Sequence, residues 1–160
     1  MTSDLFPQRL TIASGFGFPD TLDASQADPI EVVRKRTEGR GADAVVVAAA
    51  GNTLIQRALE AARPGGRVLL FAQTVRGEAA FDPASICVDE KTLLGSYSAA
   101  VYLQEESVRF VFGGEADLER LVSHRFALAD AVAALDLAAH PQPDSMKVVI
   151  KPGLAALAAR

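Results

Sequence analysis

Two runs of apolar residues, Ala44 to Ala50 and Arg67 to Ala72, constrain this chain more than any other feature. Neither run alternates apolar with polar positions. A strand with one wet face alternates, whereas a strand covered on both faces reads as a nearly continuous apolar run, as in a parallel sheet. Parallel neighbours need a crossover between them, normally a helix. The segment joining the two runs supplies one. In Thr53 to Arg63, Leu54, Ile55, Ala58, Leu59 and Ala62 form one helical stripe. Pro64-Gly65-Gly66 then stops the helix. Strand, helix and strand in that order are the unit of a doubly wound α/β sheet.

The remaining elements extend this pattern. Pro7 to Ser14 reads as a helix, preceded by Asp4 or Phe6 and broken by Gly15 and Gly17. Thr21 to Ala24 suits a short strand. Asp28 as N-cap and Pro29 at the first position open a helix that runs to about Glu38, with Ile30, Val33 and Thr37 on one face. Lys91 to Gly95 suits a third buried strand. Val101 to Phe112 reads as a helix ended by Gly113-Gly114, and Asp117 to Val122 as a shorter one. Asp130 to His140 is another helix, with Val132, Leu135 and Ala139 expected to face inward. Met146 to Ile150 is a final strand. The alanine-rich tail, Gly153 to Arg160, is helical or frayed.

Composition narrows the function classes. A chain of 160 residues, 49 % hydrophobic and 22 % charged, suits one soluble domain with its own core. A net charge of −4 gives no basic field for nucleic acid or an anionic membrane. No run approaches the roughly 20 apolar residues that span a bilayer, and Met1 to Gln8 lack a basic leader region. The single cysteine, Cys87, forms no internal disulfide, in keeping with a cytoplasmic setting. It reads as a small buried hydrophobe rather than a nucleophile. With only two distant histidines, His124 and His140, it cannot build a protein-ligated tetrahedral zinc site. No nucleophile motif surrounds the Ser, His and Asp residues, so no catalytic set is assigned.

Six stretches in order carry a resemblance. They are Thr37 to Asp43, Ala48-Ala49-Ala50-Gly51-Asn52, Arg63 to Phe71, Gly95-Ser96-Tyr97-Ser98, Leu121 to Phe126 and Met146 to Ile150. Together they resemble the second, cofactor-binding half of zinc-type medium-chain dehydrogenases, the group of sorbitol, threonine and alcohol dehydrogenases. The resemblance covers residues 4 to 152. It implies a Rossmann domain whose strand order is 3-2-1-4-5-6, with a glycine-rich loop after the central first strand.

Asp4-Leu5, with Arg9-Leu10 and Ala13 following, resembles the segment after the second strand. The resemblance implies that Asp4, with Arg9 beside it, meets the adenosine ribose and favours NAD. A carboxylate accepts two hydroxyl protons and repels a 2′-phosphate. Read from its neighbours alone, Asp4 caps the next helix equally well. Ligands in α/β sheets lie beyond the carboxyl ends of strands. Here those ends are Gly51, then Phe71, Ala72 and Gln73, then Ser96 and Tyr97. The resemblance implies that backbone groups of the second and third loops meet the nicotinamide carboxamide. Gly51 also reads as a plain helix start and Phe71 as core. Lys147 resembles a basic residue near the pyrophosphate, and reads equally as a solvated lysine. His124-Arg125 falls in a loop that faces the cleft in the family.

The sequence also departs from the family. If Asp4 ends the second strand, the first strand and its glycine loop are absent, because no G-x-G-x-x-G occurs. Gly39-Arg40-Gly41-Ala42-Asp43-Ala44 fits G-x-G-x-x-A, but a helix precedes it and a strand follows, the reverse of the fingerprint. It reads as a helix stop. Relatives often carry an acid in the strand at Ala44 to Ala50, where this chain has Val47 and three alanines. The zinc-bearing catalytic half is absent too. The expected fold is therefore an incomplete Rossmann-type doubly wound parallel sheet over residues 1–152, lacking its first strand and glycine loop, with a tail at 153–160. The expected function is the NAD(P)-binding portion of such a dehydrogenase, inactive alone, with weak or no NAD binding and no zinc. The alternative is a non-catalytic interaction module or a remnant. Expected partners are a second copy, paired through the edge strand at 91–98, and a separate chain supplying the missing half.

Overall fold

In the computed structural model, residues 1–72, 76–97, 100–115 and 117–154 are described. The chain forms two compact units, residues 26–100 and residues 1–25 with 101–160.

In the unit of residues 26–100, three parallel strands lie in the order β3-β4-β5: β3 (Ala42–Val47), β4 (Ala62–Leu70) and β5 (Thr92–Gly95). β1 (Thr2–Asp4) and β2 (Thr21–Asp23) belong to the other unit. Helix α2 (Pro29–Arg36) begins as the sequence predicts: Asp28 Oδ1 accepts the Ile30 N–H at 2.9 Å, worth about 1 kcal/mol for a cap of this kind. The same oxygen accepts from Arg57 Nη2 at 2.7 Å, tying α2 to α3 (Leu54–Ala61). Ile30, Val33 and Thr37 are half-buried on one face, as expected.

The stripe on α3 packs against one face of the sheet. Ile55, Ala58, Leu59 and Ala62 meet Val47 and Val68, with Val45, Leu70 and Leu93 around them. Leu59 and Val68 are wholly buried. Truncating a core leucine to alanine typically costs about 2–5 kcal/mol. Beneath α3, Lys91 Nζ donates to the Leu59 carbonyl at 2.9 Å and pairs with Asp89 at 3.0 Å. This buried ammonium satisfies a carbonyl at the helix end, where orphan acceptors gather.

Several expectations need correction here. The apolar run was expected to span 44–50 and to be covered on both faces. The strand instead ends at Val47, and Ala44 and Val46 are exposed, Val46 by 58 %. Only the α3 face is covered. The predicted helix over 53–63 stops at Ala61, because Ala62 turns extended and opens β4. Pro64-Gly65-Gly66 therefore lies inside β4, where the ladder shifts register between Ala42 and Ala44. Cys87, at the end of the short helix α4 (Ala84–Cys87), is exposed, and Ser85 takes the buried position.

The Gly39–Gly41 segment is a helix-to-strand loop. Thr37 Oγ1 donates to the Val33 carbonyl at 2.8 Å and accepts the Gly41 N–H at 2.9 Å. Gly41 has φ 92°, and a Cβ there would stand 2.9 Å from the Arg63 nitrogen. Just beyond, Asp43 accepts from Arg40 at 2.8 and 2.9 Å and from Arg63 Nε at 2.6 Å, bridging β3 to β4 at the register shift.

In the other unit, β1 (Thr2–Asp4), α1 (Pro7–Gly15) and β2 (Thr21–Asp23) make a short parallel βαβ unit. Further along the chain are α5 (Gln104–Phe112), β6 (Val122–Phe126), α6 (Ala131–Ala139) and β7 (Lys147–Ile150). β6 and β7 pair in parallel. The stretch expected as a helix over 117–122 is a 3-10 turn, Leu118–Leu121, leading into β6, a strand the sequence reading did not assign. On α6, Val132 and Leu135 are 82 % and 66 % exposed and Ala139 is exposed, against expectation; Ala134 is the buried residue. The helix, Ala-Val-Ala-Ala-Leu-Asp-Leu-Ala-Ala, is apolar around nearly its whole circumference, so periodicity does not select a face. Residues 155–160 of the tail lie outside the described residues.

Two outcomes follow from the loop at Gly41. Gly41→Ala places a Cβ in a left-handed conformation against backbone, and should lower unfolding free energy by about 1–3 kcal/mol in urea titration. Asp43 is held well below its ordinary value of 3.8, first by the hydrogen bond from Arg40 and then by that from Arg63. A depressed carboxylate stabilises the fold above its unfolded pKa and loses that contribution as pH falls through the folded value. Asp43→Asn should therefore flatten the stability–pH curve below about pH 4, measured by chemical denaturation at successive pH values.

Candidate functional site

The unit of residues 26–100 places five of the expected residues at one end of its sheet. The Phe71 and Ala72 N–H groups both donate to the Val47 carbonyl at 3.0 Å, and the Ser96 N–H donates to the Leu70 carbonyl at 3.1 Å. The carboxyl ends of β3, β4 and β5 are thus level with one another. Gly51, Phe71, Ala72, Ser96 and Tyr97 all follow these ends. Phe71 is 62 % and Tyr97 84 % exposed, so the reading of Phe71 as core is set aside. Behind this rim, Asn52 Nδ2 donates to the Glu78 carbonyl at 2.8 Å and Gln56 Oε1 accepts the Asp82 N–H at 2.9 Å. These bonds hold the segment after β4 to the start of α3. Gln73 lies outside the described residues.

In the other unit, Asp4 ends β1, the position at which a doubly wound sheet meets ligands. Its Oδ1 accepts the Phe6 N–H at 2.9 Å. The carboxylate thus helps to start α1, but α1 has Phe6 as N-cap and no side-chain cap bond. Among the described residues, Asp4 Oδ2 has only a long ion pair, 3.8 Å to Arg9 Nη1. Arg9 is held by the Phe6 ring, whose centroid lies 4.7 Å from its guanidinium, and by the Ser145 carbonyl, which accepts from its Nη2 at 3.2 Å; among the described residues its buried Nε has no hydrogen-bond partner. Asp4 and Arg9 are therefore brought together. Lys147 opens β7 two residues beyond Ser145, with an exposed side chain and its carbonyl accepting from Ser123 Oγ at 3.2 Å.

Phe6 and Ser145 complete the Arg9 setting. Phe6 stands next to the quoted motif, but Ser145 is 136 residues from Arg9 and no spacing in the sequence points to it. His124 is half-buried, its Nδ1 3.0 Å from Ser123 Oγ and its ring stacked near Phe126. Arg125 pairs with Glu119 at 3.0 Å. Among the described residues, no group of three or more His, Cys, Asp or Glu is placed to hold a metal ion. No helix among them is long and apolar enough to cross a membrane.

Parallel strands with crossover helices, and candidate residues at the strands' carboxyl ends, define the class of nucleotide-binding α/β folds. Within that class, residues 1–112 match the zinc-binding dehydrogenase family, and the chain belongs to it. It is similar to L-threonine 3-dehydrogenase of Symbiobacterium thermophilum, with 32 % identity over 98 % of this chain and 44 % of that enzyme. Among solved structures it resembles alcohol dehydrogenase TADH from Thermus sp. ATN1, with 28 % identity, 92 % of this chain and 41 % of that one, and a TM-score of 0.79. A putative zinc-binding dehydrogenase from Sinorhizobium meliloti 1021, bound to NADP, shares the fold at a TM-score of 0.81, with 23 % identity, 94 % of this chain and 44 % of that one. The chain thus spans less than half the length of these relatives, and corresponds to their carboxyl-terminal, cofactor-binding part.

Taken one unit at a time, an acceptor carboxylate ends β1 in the unit of residues 1–25 with 101–160, and exposed residues, Phe71 and Tyr97 among them, follow β4 and β5 in the unit of residues 26–100. The glycine fingerprint that holds the pyrophosphate does not occur in residues 1–160. The described residues bring together no ligand set for zinc.

Proposed function

We propose that this chain is the NAD(P)-binding portion of a zinc-type alcohol or polyol dehydrogenase, with a preference for NAD and no dehydrogenase activity of its own. The observation that carries the reading is Asp4. Among the described residues, its Oδ2 has only a long ion pair, at the end of a parallel strand, where two ribose hydroxyls would be accepted and a 2′-phosphate repelled. Arg9 positions that carboxylate. Lys147 offers a cation to phosphate. Backbone groups of the loops at Phe71 and Ala72, and at Ser96 and Tyr97, would meet the carboxamide, with Gly51 at the end of β3. The bound cofactor supplies hydride chemistry, and this chain's part is binding and orientation.

Calorimetric titration with NAD and NADP tests this. Weak, saturable NAD binding is expected, stronger than that of NADP. Asp4→Asn keeps an acceptor for the Phe6 N–H and removes the charge, so it should weaken NAD binding about tenfold and leave unfolding little changed. Equal NAD affinity in both proteins, or a preference for NADP, would overturn the assignment. So would reduction of NAD by the chain alone with a simple alcohol.

A second reading adds assembly. β5 forms one edge of its sheet, and Leu94 is 43 % exposed. An open edge pairs readily with its own copy across a two-fold axis. The expected homodimer joins through residues 91–98, of which Ser98 lies outside the described residues. Light scattering at micromolar concentration should give twice the chain mass, and a monomer would count against it.

A further inference from the structure

Arg9 reaches 136 residues along the chain to a single peptide unit, Ser145–Met146, and that unit is held on both sides. Its carbonyl accepts from Arg9 Nη2 at 3.2 Å, and its N–H donates to Ser123 Oγ at 2.8 Å. A peptide unit is planar, so a bond that fixes one side fixes the direction of the other. Ser145 is 3 % exposed, and its hydroxyl closes the turn before β7: Oγ accepts the Gln142 N–H at 2.7 Å and donates to the Gln142 carbonyl at 2.8 Å. Ser123 Oγ, on β6, donates in turn to the Lys147 carbonyl at 3.2 Å. Two serine hydroxyls therefore aim one carbonyl at Arg9. Neither of them has a cofactor contact in the reading above.

We propose that Ser145 and Ser123 are positioning residues for cofactor selectivity: the peptide unit they fix latches Arg9 and withholds its guanidinium from a 2′-phosphate. An arginine near the ribose accommodates that phosphate, and it grips best with two parallel N–H donors. Arg9 stands in that neighbourhood, with Nη1 3.8 Å from Asp4 Oδ2. Left free, it would work against the carboxylate, offsetting its charge and offering a planar fork to the phosphate. In the latched position Nη2 is bonded to the Ser145 carbonyl, Nε is buried, and the Phe6 ring centroid lies 4.7 Å from the guanidinium. The group cannot turn to present a pair of donors without breaking the bond to Ser145. A 2′-phosphate would then meet the carboxylate without the fork.

The latch is conditional. Among the described residues the buried Nε has no hydrogen-bond partner, and a buried donor without an acceptor carries a desolvation cost. Release into water returns that cost. What keeps Arg9 in place is the Ser145 carbonyl, with help from the Phe6 ring and the long ion pair to Asp4. Once that carbonyl loses its aim, the guanidinium is free to meet phosphate. This role rests on the reading of the chain as the NAD(P)-binding portion of a dehydrogenase, with Asp4 at the ribose. It adds two hydroxyls, remote from Asp4 in sequence, that decide between the two cofactors.

The test uses the full chain. Calorimetric titration with NAD and with NADP gives the ratio of their affinities, and side-chain NMR of the unliganded chain gives the exchange rate of the Arg9 Nε–H with water. Ser145→Ala opens the turn, and Ser123→Ala frees the other side of the same peptide unit. Either should shift the ratio about tenfold toward NADP and speed the Nε–H exchange. Ser145→Thr keeps the hydroxyl and should keep both values. Arg9→Met added to Ser145→Ala should abolish the gain in NADP affinity. Equal loss of affinity for both cofactors, a ratio unmoved in both serine variants, unchanged Nε–H exchange, or a gain that survives Arg9→Met would sink the assignment. Where Ser145→Ala fails to fold, Ser123→Ala decides. A chain that binds neither cofactor overturns the cofactor reading and this role with it. NAD binding that weakens in Asp4→Asn, with a ratio that neither serine variant moves, overturns this role alone.

Discussion

The packing of Leu59 on Val68 is the contact on which the unit of residues 26–100 depends. Both side chains are fully buried, and around them α3 contributes Ile55 and Ala58 while the sheet contributes Val47. The strand ends stay level because this face is fixed. Val47 receives two N–H groups from the loop after β4, and Ser96 reaches back to Leu70. Lys91 shows how closely the arrangement is drawn. A lysine loses water on burial, and here the loss is offset by the Leu59 carbonyl and by Asp89. The same side chain completes the end of α3 and fixes where β5 begins. Removing the helix would therefore disturb the carboxyl ends of all three strands.

That core covers one face only, which separates this sheet from a finished doubly wound one. An apolar strand without alternation is economical where helices lie on both sides. In β3 the same residues are half spent, because Val45 and Val47 face α3 while Ala44 and Val46 face outward uncovered. The bare side is thus a property of the sequence as well as of the fold. A strand evolved for solvent on one face would place polar residues at 44 and 46.

Much of this was legible in the residues. Asp28-Pro29 marks a helix start through two independent signals, a side-chain acceptor and a fixed φ, and the start falls there. The stripe on α3 is legible because it repeats at helical spacing over several turns. The ends were harder to see. Whether Ala62 continues the helix or opens β4 is decided by tertiary packing: a Cβ at Gly66 would stand 2.7 Å from the Arg63 carbonyl oxygen and 3.3 Å from the Ala62 Cβ, so the close approach there needs glycine. β6 carries its signal in Val122, His124 and Phe126, which alternate, but five residues with His and Arg among them are a weak pattern. Both-face coverage rests on the absence of alternation in the run, and a run of that kind does not say which element covers each face.

The candidate residues divide by the kind of group that acts, and this governs how much a sequence can reveal about them. On the proposed reading, the groups that act at the sheet rim are backbone donors and acceptors after β4 and β5. Their positions depend on the ladder and on Asn52 and Gln56 holding the neighbouring loop, so the side chains of Phe71 or Tyr97 say little about them. At Asp4 the acting group is a side chain, and its identity is visible at once. Its aim is not visible, because it depends on the Phe6 N–H at 2.9 Å and on Arg9 at 3.8 Å. Arg9 is held in turn by a ring three residues before it and a carbonyl 136 residues after it. A reader of the sequence can therefore name the carboxylate, whereas the contact that holds Arg9 beside it exists only once the turn before β7 has folded.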